Sequence, residues 1–229
     1  MENKIVKKIP SINEIRSFRR AVVRWFSKNK QFYPWRDTKD PFKVLIAEIM
    51  LRRTKANQVK AVYNQLFERY PNIESLLMAN DAEVQKILYH LGLRWRLPAI
   101  TQVAQELKEK FNHNFPTTRE ELKTLTGVGE YVAGAVLSIA YNKREWIIDS
   151  NIVRLFKRYF GIKTSKEGRR DTHIIEIAKI YVSEGNPKQN NLALLDFAAL
   201  ICSPQKPKCH SCTLNNTCHD YSLVTKKYN

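Results

Sequence analysis

The C-terminal part of the chain contains cysteines whose number and spacing could bind a metal. All four cysteines fall within the last 28 residues, in the pattern C-x6-C-x2-C-x5-C. Cysteines clustered in this way are more typical of metal ligation than of disulfides in a chain without a secretory signal. Zinc ribbons usually pair two C-x2-C turns, so a single such pair favours an iron–sulfur cluster while leaving zinc open. The candidate ligands are Cys202, Cys209, Cys212 and Cys218.

Two carboxylates stand where an acid group could take part in catalysis. Glu48 lies inside the most apolar run of the chain, residues 44–51. If it is buried there, a raised pKa is expected and would suit a proton donor. The alternative is a glutamate on the wet edge of a mostly buried helix. Asp149 occupies a helix N-cap position, where helix N–H groups would keep the carboxylate ionised and oriented toward a developing positive charge.

A glycine-containing turn between two short helices could bind phosphate. Thr117 and Glu120 form a candidate capping box for the first helix, the turn follows at residues 125–129, and the second helix starts near Glu130. Two glycines leave backbone N–H groups free beside a helix N-terminus, although such turns also simply connect packed helices. Tyr131 lies one position off the apolar stripe of the second helix, which allows either a half-buried core residue or a pocket residue.

The elements that position these groups are predicted to be almost entirely helical. Ser11 and Glu14 form a capping box before an amphipathic stretch, and Asp40–Pro41 is typical of an N-cap followed by a first-turn proline. Apolar residues recur at helical spacing along the chain, and no alternation of period two extends past a few residues. Residues 146–148 are apolar but short and indicate a connector. The sequence therefore predicts an all-α fold.

The charge of the chain favours a polyanionic partner. Lysine plus arginine number 39 against 22 for aspartate plus glutamate, which gives a net charge of +17. Such an excess suits nucleic acid, with acidic membrane surfaces as the competing interpretation. No stretch approaches the roughly 18 uncharged apolar residues of a membrane span. Residues 1–10 are polar and basic, with no apolar segment behind them, which favours the cytosol over secretion.

Together these features resemble the endonuclease III family of helix–hairpin–helix DNA glycosylases. The resemblance implies a [4Fe–4S] cluster and two helical lobes with a DNA cleft between them, into which the target base is flipped. Residues 36–139 would form a six-helix barrel with the hairpin at about 117–141, and residues 1–35 with 140–229 the iron–sulfur lobe. The segments that carry the resemblance are Pro34–Arg36, Glu48–Thr54, Leu125–Gly129, Asp149–Arg154 and the four cysteines.

The resemblance also implies roles for individual residues. Asp149 matches the catalytic aspartate, which supports an oxocarbenium-like sugar and activates water. Tyr131 stands where bifunctional members carry a Schiff-base lysine, so its phenol implies a monofunctional enzyme that leaves an abasic site. Glu48 would be a proton donor or base-pocket contact, and Arg53 would fill the gap left by the flipped base. Further implied DNA contacts are Gly127, Val128, Gly129, Lys206 and Lys208.

Tyr131 and the Leu-Arg-Arg-Thr run at 51–54 are most similar to the prokaryotic mismatch-specific thymine-DNA glycosylases. The implied partner is duplex DNA with T or U opposite G, bound by a monomer in the cytoplasm at the nucleoid. One alternative is an adenine glycosylase, which would lack its C-terminal lobe because only 11 residues follow Cys218. A glycosylase/lyase is disfavoured by Tyr131. A DNA-binding module that does not cut is disfavoured by Asp149 and Glu48.

Two hairpin positions depart from the family pattern. Thr126 replaces the usual proline, which predicts a slightly looser turn. Glu130 stands where a basic or neutral residue is more usual, close to the expected phosphate. It predicts either weaker DNA binding or a side chain that points away.

Overall fold

The computed structural model describes residues 9–92, 97–112, 114–165 and 167–225. Within these ranges the regular secondary structure is helical and includes no β-strand, which confirms the predicted all-α class. None of the helices described is both long and apolar enough to cross a membrane. The α-helices in chain order are α1 Ile12–Asn29, α2 Pro34–Asp37, α3 Pro41–Met50, α4 Ala56–Arg69, α5 Ile73–Leu77, α6 Asp81–Leu88, α7 Leu97–Phe111, α8 Arg119–Lys123, α9 Glu130–Ile139, α10 Ser150–Phe160, α11 Thr172–Val182, α12 Pro187–Leu200 and α13 His219–Thr225.

The chain divides into two compact units. The first joins the chain up to Gln31 with the chain from Arg144 onward, and the second is Phe32–Lys143. In the first unit α1 packs against α11 and α12, while α10 packs against α12 and α13. In the second unit α3 packs against α2, α4 and α9, and α8 packs against α9. Asp149 and the cysteines therefore belong to the first unit, and the hairpin belongs to the second.

Two helix starts follow the predicted capping signals. The Ser11 hydroxyl accepts from the Glu14 N–H, and the Glu14 carboxylate accepts from the Ser11 N–H at 2.7 Å, which completes the capping box of α1. The Asp40 carboxylate accepts from the Phe42 N–H at 2.9 Å, with Pro41 in the first turn of α3. Each cap satisfies N–H groups that have no partner inside the helix and is typically worth about 1 kcal/mol.

The capping box predicted for α8 is wrong by one residue. Thr118, rather than Thr117, is the N-cap, and its hydroxyl accepts from the Glu121 N–H at 3.3 Å. The Glu121 carboxylate in turn accepts from the N–H groups of both threonines, at 3.1 and 3.2 Å. Two adjacent threonines followed by two adjacent glutamates make the two registers equivalent in sequence. The observed register points Leu122 into the core, where its side chain is fully buried.

The contact between α3 and α9 forms the centre of the second unit. In α3 every side chain from Val44 to Met50 is buried, and in α9 the same holds from Val132 to Ile139. Small residues at positions 133–135 let the backbone of α9 lie close to its neighbours. Helices buried on nearly all sides are fixed by close packing, so this contact sets where the ends of both helices lie.

Candidate functional site

The hairpin turn has the geometry of a type II turn. The Leu125 carbonyl accepts from the Val128 N–H at 3.1 Å, and Gly127 between them has φ +78°. Thr126 has negative φ, so only the third residue of the turn takes the left-handed conformation, as type II requires. Gly129 is the N-cap of α9 and has no side chain with which to cap it. The first N–H groups of α9 thus lie next to the turn, in an arrangement suited to an anion.

Arg52 lies against this turn, although the sequence analysis did not select it. A Cβ placed on Gly127 would stand 3.4 Å from Arg52 Nη1. Burial lowers the pKa of the Arg52 guanidinium, and the nearby Glu48 carboxylate acts in the opposite direction. Glu48 and Arg52 are four residues apart, about one helical turn. This spacing could have predicted that the two side chains lie close together.

Thr126, where the sequence predicts a slightly looser turn, is hydrogen-bonded through both of its donors. The Thr126 N–H donates to one oxygen of the Glu106 carboxylate at 2.7 Å, and the Thr126 hydroxyl donates to the other at 2.6 Å. Both polar groups that threonine adds relative to proline are therefore bonded to one side chain on α7. Glu106 lies 20 residues earlier in the chain, where no local sequence pattern connects it to the turn.

Glu130 points toward α8, which is the second of the two outcomes predicted for it. Its carboxylate pairs with Arg119, at 3.2 Å, and with Lys123. Arg119 also donates to the Glu130 carbonyl at 2.7 Å. Burial acts to raise the pKa of Glu130, but the hydrogen bonds and charges of Lys123 and Arg119 outweigh it, and the pKa lies below its ordinary value. The negative charge at the start of α9 is thus neutralised by two cations of α8.

The other predicted residues of the second unit differ in exposure. Glu48 is 4% exposed, so the interpretation as a wet-edge glutamate is wrong and the interpretation as a buried carboxylate holds. Tyr131 is half-buried in the first turn of α9. Arg53 is exposed just beyond α3 and has φ +55°, a left-handed conformation that is uncommon outside glycine, asparagine and aspartate.

Asp149 caps α10, and both of its carboxylate oxygens are hydrogen-bonded. One oxygen accepts from the Ile152 N–H at 2.7 Å, and the other accepts from the Asn151 side-chain amide at 2.8 Å. The side chain is half-buried. These donors fix the direction of the carboxylate while leaving part of it accessible. Asn151 lies two residues after the aspartate, but nothing in the sequence singled out its amide.

A second link joins Asn151 to the first cysteine. The Asn151 amide oxygen accepts from Arg154 Nη1 at 2.8 Å. The same guanidinium donates from Nε to the Cys202 carbonyl at 2.9 Å and from Nη2 to the Ala198 carbonyl at 2.8 Å. Two side chains therefore connect the Asp149 carboxylate to the backbone at Cys202.

The four cysteines line one cavity of about 770 Å³, together with apolar side chains that include Leu155 and Leu214. Arg158 Nη1 lies 3.6 Å from Cys202 Sγ and 2.8 Å from the Ser203 carbonyl, and the Leu214 N–H donates to Cys212 Sγ at 3.4 Å. Among the residues described, no three histidine, cysteine or acidic side chains are arranged to hold a metal ion. The two loop lysines, Lys206 and Lys208, are exposed, and Lys208 also lines the cavity.

Several known proteins are similar to this chain. A family model described as HhH-GPD superfamily base excision DNA repair protein matches residues 46–178. A thymine/uracil-DNA glycosylase of Methanothermobacter thermautotrophicus is 33% identical, over 88% of this chain and 91% of that protein. Another, of Pyrobaculum aerophilum, is 35% identical over 93% of this chain and 95% of that protein. A solved thermostable thymine-DNA glycosylase superposes with a TM-score of 0.84 at 32% identity, over 92% and 98% of the two chains.

The turn geometry predicts that Gly127 and Gly129 tolerate alanine differently. Gly127→Ala should lower the free energy of unfolding by about 1–2 kcal/mol, because an L-residue at positive φ is strained and its Cβ approaches Arg52. Gly129→Ala is the matched control, since its φ is −104° and no atom lies within 4 Å of the added Cβ. It should cost about 0.5 kcal/mol, the typical loss at an N-cap. Equal losses in urea unfolding would contradict the assigned turn.

Proposed function

This chain belongs to the HhH-GPD superfamily of base excision DNA repair proteins, and on that premise we propose that it is a monofunctional DNA glycosylase acting on thymine or uracil opposite guanine. The observation that carries the proposal is the half-buried Asp149 carboxylate, whose two oxygens are both held by donors. The relatives named thymine/uracil-DNA glycosylase, which align over nearly their whole length, support the choice of base.

In the proposed reaction the bond between C1′ and the base nitrogen breaks, and its electron pair leaves with the base. The positive charge that develops on the sugar is stabilised by the Asp149 carboxylate. A water molecule then adds its oxygen to C1′, and its proton passes to the same carboxylate. Hydrogen bonds from the Ile152 N–H and the Asn151 amide hold the Asp149 carboxylate in one orientation, so it is placed to act without rearranging.

Two residues of the second unit complete the proposed chemistry. Glu48 is the proposed proton donor to the leaving base, or a contact to that base, and its exposed fraction of only 4% supports a role inside the protein rather than at its surface. Tyr131 is the proposed pocket residue at the start of α9. A phenol cannot form a Schiff base with the sugar, so the product is an abasic site with an intact strand.

The proposed substrate is duplex DNA, bound by a monomer whose net charge is +17. The target nucleotide must leave the stack before its C1′ can be reached. The exposed Arg53 is proposed to fill the gap that it leaves. Backbone N–H groups of Gly127 and Gly129 are proposed to bind a phosphate, whereas the predicted contact from the Val128 N–H is not proposed because that group already donates to the Leu125 carbonyl. The loop lysines at 206 and 208 are proposed to bind other phosphates.

We also propose that the four cysteines bind a [4Fe–4S] cluster. The shared cavity supports this, since four thiols of one spacing pattern line it. The Leu214 N–H directed at Cys212 Sγ adds support, because hydrogen bonds to sulfur are a feature that tunes such clusters. When bound, the cluster would hold the C-terminal loop in place. The cluster itself takes no part in the proposed chemical steps, which depend on side chains of this protein.

Replacing Asp149 tests the proposed mechanism. Asp149→Asn should slow single-turnover release of thymine from a G:T duplex by about 100-fold or more, because the counter-charge to the sugar is lost. The thermal unfolding midpoint should fall by only a few degrees, since asparagine still caps the helix but its amide nitrogen cannot accept from the Asn151 amide as the carboxylate does. Asp40→Asn makes the same change at the N-cap of α3 and should keep the wild-type rate. Unchanged base release by Asp149→Asn would show the mechanism to be wrong.

Metal analysis tests the proposed cluster independently of activity. Protein purified without oxygen should contain about four iron and four sulfide ions per chain. Cys212→Ser should lose iron and unfold at a lower temperature, whereas His210→Ala, a change at an exposed neighbour, should retain it. If the protein instead contains zinc and no sulfide, the proposed cluster is wrong and the four cysteines form the zinc site that their spacing left open.

A further inference from the structure

The second residue of the hairpin turn is held by a side chain from another helix. Thr126 occupies the position of a type II turn that proline favours, because the ring fixes φ near −65°. Threonine lacks that constraint and leaves the turn more freedom. In its place, the Thr126 N–H and hydroxyl donate to the two oxygens of Glu106, at 2.7 and 2.6 Å. One carboxylate on α7 thus bonds both donors of this residue.

A carboxylate beside a phosphate-binding turn would repel DNA unless its charge were balanced. Lys110 lies one turn further along α7, and its Nζ is 3.6 Å from Glu106 Oε2. The same ammonium donates to the Thr124 carbonyl at 2.9 Å, immediately before the turn. Burial acts to raise the pKa of Glu106, but the bonds from Thr126 and the charge of Lys110 outweigh it, so the pKa lies below its ordinary value. At neutral pH the group is a paired carboxylate.

We propose that Glu106 is a positioning residue for DNA binding. Its clamp on Thr126 keeps the N–H groups of Gly127 and Gly129 oriented for a phosphate, as a proline ring at 126 would. The inference rests on the proposed function, since it concerns the same hairpin. If the turn is already ordered in the free protein, less of the binding free energy is lost in ordering it. The clamp therefore increases the affinity for DNA. Glu106 itself touches neither the base nor the sugar in this scheme.

The test is a mutant cycle on the intact protein. The variants are Glu106→Ala, Thr126→Pro and the double variant. Glu109→Ala serves as matched control, because this exposed glutamate of α7 carries the same charge and, among the residues that the structure describes, accepts only from Gln105, at 2.6 Å. Binding is measured by fluorescence anisotropy with a labelled G:T duplex. Base release is measured at saturating enzyme, which separates affinity from chemistry.

Glu106→Ala should raise the Kd by about tenfold relative to Glu109→Ala, the effect of losing hydrogen bonds to a charged acceptor. The rate of base release at saturation should not change. In the Thr126→Pro background, removal of Glu106 should cost no affinity, because the ring fixes the turn and leaves the carboxylate no N–H to hold. Glu106→Gln, which keeps an acceptor oxygen and the side-chain shape, should bind with a Kd between those of the wild type and Glu106→Ala. It provides the comparison if the alanine variant does not fold.

Two results would overturn the clamp. One is that Glu106→Ala and Glu109→Ala bind the duplex with the same Kd. If Glu106→Ala does not fold, the corresponding result is that Glu106→Gln and the wild type bind with the same Kd. The other is an equal loss from removing Glu106 whether residue 126 is threonine or proline, which would indicate a general loss of stability. Failure of the wild type to bind the duplex would overturn the proposed function as well. Wild-type binding combined with a failed cycle would overturn the clamp alone.

Discussion

A protein that binds a polyanion must keep its own carboxylates from opposing the ligand, and this constraint organises the candidate site. Glu130 and Glu106 flank the hairpin, and each is paired with cations of its own neighbourhood. Asp149 is fixed by an N–H and an amide, and in the proposed mechanism this oriented carboxylate stabilises the cationic sugar. Glu48 is buried, with Arg52 nearby. The net positive charge attracts DNA in general, and these fixed carboxylates determine where negative charge remains.

Features set by neighbouring residues were predictable from the sequence. The capping box of Ser11 and Glu14 and the N-cap at Asp40 depend on residues at most three positions apart, so their patterns are visible in the chain. The α8 capping box was misplaced by one residue because adjacent pairs share the same pattern. The hydrogen bonds of Thr126 could not be predicted because their acceptor, Glu106, is 20 residues away on a different helix. Local rules carry no information about such a partner.

The same distinction holds for the first unit. The N-cap position of Asp149 follows from the helical run after it, and the cysteine spacing follows from simple counting. The connection from Asn151 through Arg154 to the Cys202 carbonyl includes a hydrogen bond between residues 48 positions apart, and it appears only in the folded chain. Because each guanidinium nitrogen in that connection donates to a fixed acceptor, the cysteine loop and the carboxylate are ordered together. A change in one should therefore be felt at the other.

The most direct test of the account is a comparison of labelled duplexes containing T:G, U:G, A:G, A:8-oxoguanine and T:A, each analysed with and without hot alkali. The account predicts cleavage at T:G and U:G only after alkali, because the glycosylase leaves an intact abasic strand, and no cleavage at T:A. Strand scission without alkali would contradict the monofunctional assignment. Release of adenine alone, or of no base from any duplex, would contradict the proposed activity.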